Sequence, residues 1–394
     1  MTMRLNNLIE TLDSILDPDD PYFSNSNVGP LELSENDSMY EVHAEQIASI
    51  LKRLIANEEN PREEDFGIYR ALKQIYEGEK ETNLDRKSIE NPESHCAWYS
   101  PYLLTRWNGG IYLREDCILS IARNIKTEFI SAGLPFDFQC WLKCIYLGFF
   151  TLYHHEYFHH KVESFGLRCL IAAKSDCYRD YNRDVYRRTL YTTDNLEEAL
   201  ANAYSFNSII TTRHQGMLSD TERAIYRKYL AWSFSMQSDG YNQAEKYFGP
   251  EAFKHGSALL QSQIIDVSLA PITASEQWSI ARDMLRGLFN FNTFDFWMLV
   301  PSGSRSVLTG TTPYHVARSK DVIAALVSHY GYSLVKSGGK GSHQKLRSSR
   351  GYGQVHINTT NAVSAGVAKH VVHAINPKAA LSDFPKVLNG TLRP

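Results

Sequence analysis

The chain has 394 residues, 43% hydrophobic and 22% charged, with a formal net charge of −3. That length predicts two or three domains rather than one core, with the composition of an ordinary globular protein. No run of about 20 apolar residues exists, which excludes a conventional membrane-spanning helix. Charge is unevenly spread. From residue 311 onward eleven Lys/Arg face two acids, Asp321 and Asp383, so the tail carries +9 and the rest −12. This asymmetry predicts two modules with different partners, the basic one a candidate for RNA or DNA. A merely solvated basic face is the alternative.

The N-terminal run "MTMRLNNLIETLDSILDPDD" reads as lacking a secretory signal. All six cysteines fall between Cys96 and Cys177 without a C-x-x-C pair, so reduced thiols in a cytoplasmic protein are expected. Residues 1–90 read as an acidic helical region, with "SMYEVHAEQIASILKRLIA" at helical spacing and "NEENPREED" as its break. "NGGIYLRED" (Asn108–Asp116) reads as a strand after a glycine turn, then "CILSIARNIKTEFI" as a helix. A long helix is expected from about Phe136 into the 170s, including the apolar run "CWLKCIYLGFFTLY". "DCYRDYNRDVYRR" reads as a charged connector, "TTDNLEEALANAYSF" as the next helix, and residues 220–295 as further helices. "VPSGSRSVLTGTTPY" (Val300–Tyr314) reads as a linker. The tail then runs helix, strand, Gly-rich turn, two strands, helix.

The chemistry concentrates in "HHEYFHH", His154 to His160. His155-Glu156-Tyr157-Phe158-His159 is H-E-x-x-H. Residues four apart share a helix face, so two imidazoles can bind one zinc. Glu156 sits about 100° further round, where a carboxylate can take a proton from a water on the metal. His155 and His159 are the one His–His pair at i, i+4 in the cluster. They continue the stripe Trp141, Ile145, Gly148, Leu152, while His154 and His160 flank it. Cys140 and Cys144, also four apart, read as core thiols.

A catalytic zinc needs a third protein ligand and an open position. In "DNLEEALANAY", Asp194 and Glu197 read as a D-x-x-E capping box, which leaves Glu198 free. Asn202 follows Glu198 at i+4 and can hydrogen-bond a ligating histidine. H-E-x-x-H followed by E-A-L-A-N resembles the gluzincin metallopeptidases, the thermolysin-like zinc enzymes. The resemblance covers two helical segments. It implies zinc ligands His155, His159 and Glu198, with Glu156 as the base. Asn202 stands where that family usually has Asp. "GGIYL" (Gly109–Leu113) is the candidate for a strand that pairs with an extended substrate, with an ordinary sheet strand as the alternative. His214, Tyr191 and Tyr204 are candidates to stabilise a transition-state oxyanion.

In the tail, "YSLVKSGGKGSHQKLRSSRGYGQVHIN" resembles the HicA-type toxins, small ribonucleases of a double-stranded-RNA-binding-like fold. The resemblance covers about 320–380. It implies a catalytic role for His343. Lys340, Lys345, Arg347 and Arg350 surround it as candidate nucleic-acid contacts. RNA binding without cleavage is the alternative, and a toxin-like module implies a neutralising, antitoxin-like partner.

The expected architecture is therefore α+β. An N-terminal helical region (1–90) packs on a zincin-like metallopeptidase domain (91–299). A linker (300–314) leads to a small α-β-β-β-α HicA-like domain (315–394). The expected function is zinc-dependent peptide hydrolysis in the cytoplasm, in a toxin–antitoxin or phage-defence setting. A HicA-like ribonuclease with the peptidase domain as scaffold or sensor, and an inactive interaction protein, are the alternatives.

Overall fold

A computed structural model describes residues 37–41, 44–56, 61–80, 96–105, 109–173, 176–209, 214, 216–266, 296–301, 306–309, 317–335, 343–358, 363 and 365–394. The architecture is α+β and mostly helical. Its first sheet holds β1 (Asp37–Glu41), β2 (Ala97–Ser100), β3 (Gly110–Arg114) and β4 (Phe296–Pro301) in the order β1-β4-β3-β2. β4 runs parallel to β3 and antiparallel to β1, and β2 closes a hairpin on β3.

Around this sheet lie α1 (Ala44–Ala56), α2 (Phe66–Lys80), α3 (Glu115–Ser131) and α4 (Phe138–Ala173). Then come α5 (Cys177–Tyr181) with a π-helical turn over Asn182–Tyr186, α6 (Leu196–Ser208), α7 (Asp220–Ser235) and α8 (Pro250–Asp266). The 36-residue α4 is the spine. It packs against α3 on one flank and α6 on another. Gly148 lets α3 come close, since a Cβ there would lie 2.7 Å from the Ile118 carbonyl oxygen.

Both faces of the sheet are covered, as parallel pairing usually requires. Ile111, Leu113, Phe296, Met298 and Val300 point into a core shared with α1, α3 and α4. The alternate residues Tyr112, Trp297 and Leu299 join the core of the tail. There, α9 (Ser319–Tyr330), β5 (Tyr332–Leu334), β6 (His343–Ser348), β7 (Val355–Asn358) and α10 (Ala365–Ile375) follow in the expected order, with a short α11 (Phe384–Leu388) after them. The strands pair antiparallel as β5-β6-β7.

Several expectations need correction. "SMYE" is strand β1, not helix, because it pairs with β4. This pairing puts part of the 1–90 region into the same sheet as residues 296–301. Cys96 and Cys117 are disulfide-bonded rather than reduced. The β2–β3 hairpin brings the start of β2 beside the first turn of α3, leaving their Cα atoms 5.4 Å apart. The expected linker 300–314 is part sheet, since β4 runs to Pro301, and part anchored. The buried Glu115 carboxylate accepts from the Val307 and Leu308 amides, both at 2.9 Å, and from the Ser306 hydroxyl at 2.6 Å. Of the helices expected over 220–295, the stretch 267–295 lies outside the described residues. Among the described residues no helix is long and apolar enough to cross a membrane.

Candidate metal centre

The site lies where α4 crosses α6. Both helices are buried here, and His155, His159 and Glu198 are each at most 6% exposed. The three donors form a triangle. His155 Nε2 lies 3.1 Å from Glu198 Oε2 and 3.3 Å from His159 Nε2, and the third edge is 3.4 Å. Two ligand atoms each about 2.0–2.1 Å from one tetrahedral ion sit roughly 3.3 Å apart. The residues thus fit a metal ion in both donor type and spacing.

The rear nitrogens are held as metal-binding histidines require. His155 Nδ1 donates to Asn202 Oδ1 at 2.8 Å. The Asn202 amide nitrogen donates to Gln237 Oε1 and the Tyr241 carbonyl, so its oxygen must face the histidine. His159 Nδ1 lies 2.7 Å from Glu197 Oε1, whose other oxygen accepts from Tyr181 at 2.8 Å. The Tyr186 hydroxyl, on the π-helical turn, donates to Glu198 Oε1 at 2.5 Å. Tyr241 lies nearly parallel to the His155 ring, 5.9 Å away.

Charges follow from this packing. Burial opposes charge on His159, but the Glu198 and Glu197 carboxylates outweigh it and hold the imidazole well above its ordinary value. His155 is raised on the same balance, chiefly by its bond to Glu198. Burial likewise works to raise the Glu198 carboxyl, yet the two imidazoles hold it far below its usual range. These are protons that a bound metal displaces.

Glu156 is 4% exposed. Burial raises its carboxyl, aided by Glu198 and opposed by the charges of His155 and His159 and by a hydrogen bond from the Tyr99 amide. Tyr99 belongs to β2, and β2 is the edge strand beside α4. This corrects the candidate "GGIYL". β3 is paired on both sides, so it has no free edge for a substrate.

The capping box at Asp194 and Glu197 does not form. Asn195 is the N-cap, and its side chain accepts from the Glu198 amide at 3.1 Å. With the helix starting one residue later, Glu197 turns inward to His159. Glu197, Tyr181, Tyr186 and Tyr241 are the site residues that spacing alone missed. The adjacency of Glu197 to Glu198 was the available signal.

His154 and His160 are buried beside the ligands rather than left at the flank. His154 pairs with His214 through their Nε2 atoms at 3.0 Å, and His214 Nδ1 lies 2.9 Å from the Tyr146 hydroxyl. His160 Nδ1 lies 3.0 Å from the Tyr99 hydroxyl, and burial drops its pKa to about 3. Of the three oxyanion candidates, His214 is thus engaged on both nitrogens. Tyr204 packs among His154, Tyr157 and Phe158. Tyr191 is 53% exposed with φ 62°, and its ring stacks on Tyr241.

Of the basic-tail candidates, the side chains of Lys345, Arg347 and Arg350 are described. His343 opens β6 opposite Asn358. Its side chain, and Lys340 altogether, lie outside the described residues. Lys345 and Arg347 alternate with the buried Leu346 and project from the other face of the sheet. Arg350 spends a guanidinium N–H on the His329 carbonyl near the end of α9, at 3.0 Å. Cys140 and Cys144 are buried free thiols.

No protein-family model, curated protein or solved structure matches the chain.

Proposed function

We propose that the chain is a zinc-dependent metallopeptidase of the gluzincin kind, with a HicA-like module appended. The observation that carries this reading is the donor triangle of His155, His159 and Glu198, with Glu156 and the edge strand β2 beside it. A His₂Glu set suits zinc. Zinc held there supplies a Lewis acid that polarises a carbonyl and makes water acidic at neutral pH.

The chain's own residues do the rest. Glu156 takes a proton from the attacking water and delivers it to the leaving amine. Burial, which raises its carboxyl, makes it a stronger base toward that proton. The Tyr99 amide holds the carboxylate in place. β2 is an edge strand, and an extended peptide would lie along its outer side, next to the Tyr99 amide that holds Glu156. Glu156→Gln should keep the metal and lose hydrolysis of an unstructured protein substrate by at least about 100-fold. Unchanged hydrolysis would exclude Glu156 as the base.

The tail suits a second activity, the binding of a nucleic acid. Lys345 and Arg347 share one face of an otherwise polar sheet, which suits a phosphate backbone. On this reading, Lys345→Ala and Arg347→Ala weaken RNA binding and its dependence on salt. A HicA-like ribonuclease whose activity depends on His343 and not on Glu156 is the competing reading. An antitoxin-like partner would accompany it.

A further inference from the structure

Glu197 is a buried carboxylate that neither belongs to the ligand triangle nor caps its helix. At 3% exposure it gives one oxygen to His159 Nδ1 at 2.7 Å and the other to the Tyr181 hydroxyl at 2.8 Å. Leaving a carboxylate in an apolar interior is costly unless its charge is used.

We propose that Glu197 is a positioning residue that sets how tightly the site holds its metal, supplying through His159 the negative charge that neutral Asn202 does not supply through His155. This rests on the metal reading above. The contact with Glu197 requires the hydrogen of His159 on Nδ1 and leaves the Nε2 lone pair facing the triangle. Tyr181, 2% exposed, stops the carboxylate from rotating away. A divalent ion bound by Glu198 keeps one positive charge, and Glu197 cancels it from one imidazole away. Asn202 does only half of this. Its amide is pinned by Gln237 and the Tyr241 carbonyl, so it orients His155 without adding charge. The buried charge of this site has been placed on the residue before the ligand glutamate rather than on the residue four after it.

The test is zinc affinity, measured by competition with a chromophoric chelator on the full chain. Four forms are compared: parent, Glu197→Gln, Asn202→Asp and the double variant. A glutamine keeps the shape of the side chain and the bond from His159, its oxygen accepting as before while its amide faces the Tyr181 oxygen, so Glu197→Gln removes chiefly the charge. It should weaken zinc binding about 10–100-fold. The double variant, which returns a carboxylate to the other histidine, should recover most of that loss. A purely structural role would not give this rescue. Equal affinity in parent and Glu197→Gln, or a double variant no tighter than Glu197→Gln, overturns the proposal. Should Glu197→Gln not fold, the double variant is compared with Asn202→Asp alone: weaker zinc binding in the double variant supports the charge role of Glu197, and equal binding overturns it. A parent chain that takes up no zinc overturns the metal reading, and this inference with it.

Discussion

Glu163 lies one turn beyond His159 on α4 and ties β2 to the spine. It accepts from the Leu103 amide at 2.6 Å and from the Tyr99 hydroxyl. Burial raises its carboxyl from 4.5 to about 7 despite these bonds. The neutral form is therefore the one the fold prefers. Its contribution is fully present below about pH 4.5 and is lost as pH rises through about 7. The loss is on the order of 3 kcal/mol at most. Urea unfolding across that window should show parent stability falling with pH, and Glu163→Gln should flatten the slope. Equal slopes would mean that Glu163 ionises in the fold as it does unfolded. At this scale the sequence was partly legible. H-E-x-x-H brought His155 and His159 to one face by helical spacing, and Asn202 followed from Glu198 by the same rule, but Glu198 itself was chosen because a capping box that does not form was expected to claim Glu197. Glu197 was misread because a D-x-x-E pattern fits a cap equally well, and the choice depends on whether the N-cap of α6 is Asp194 or Asn195. No local pattern announces Tyr181 and Tyr186, because they come from α5 and from the π-helical turn that follows it.

At the scale of elements, α3 and α4 form the tightest pair. Gly148→Ala places a methyl against backbone, not against a flexible side chain, so the helices must part. The expected cost is about 1–3 kcal/mol, read as a lower urea midpoint with an unchanged slope. A variant as stable as the parent would mean that the close approach is not required. The helices were legible from their periodicity. The strands were not, except β3 and those of the tail. β1 hides inside an apparently helical run, because four or five residues fit either period. β4 hides in a stretch whose following Ser, Gly and Thr residues suggested a linker. Nothing local says that Glu115 will hold residues 306–308, since those partners lie about 190 positions away.

For the whole molecule, the consequence is that the tail is not a tethered passenger. Tyr112, Trp297 and Leu299 of the first sheet share a core with Val322, Leu326, Val371 and Phe384 of the tail. Trp98, Tyr112 and Trp297 form an aromatic ladder across three strands, at 5.2 Å and 6.2 Å between ring centres. Deleting residues 317–394 exposes that face and should cost several kcal/mol, at roughly 1.5–3 kcal/mol per large apolar side chain. Light scattering and thermal unfolding should find the truncated chain aggregating or melting well below the parent. Equal stability would restore the view of two independent domains. The charge asymmetry led to an expectation of two modules with different partners and gave no hint of the shared core, because composition carries no information about which faces meet.

Everything functional depends on whether His155, His159 and Glu198 hold a metal ion together. The direct measurement is an anomalous difference map at the zinc absorption edge, from crystals of the full chain grown with zinc. The expected result is one strong peak roughly 2.0–2.2 Å from His155 Nε2, His159 Nε2 and a Glu198 oxygen. No peak at that triangle, with zinc bound elsewhere or nowhere, would contradict it.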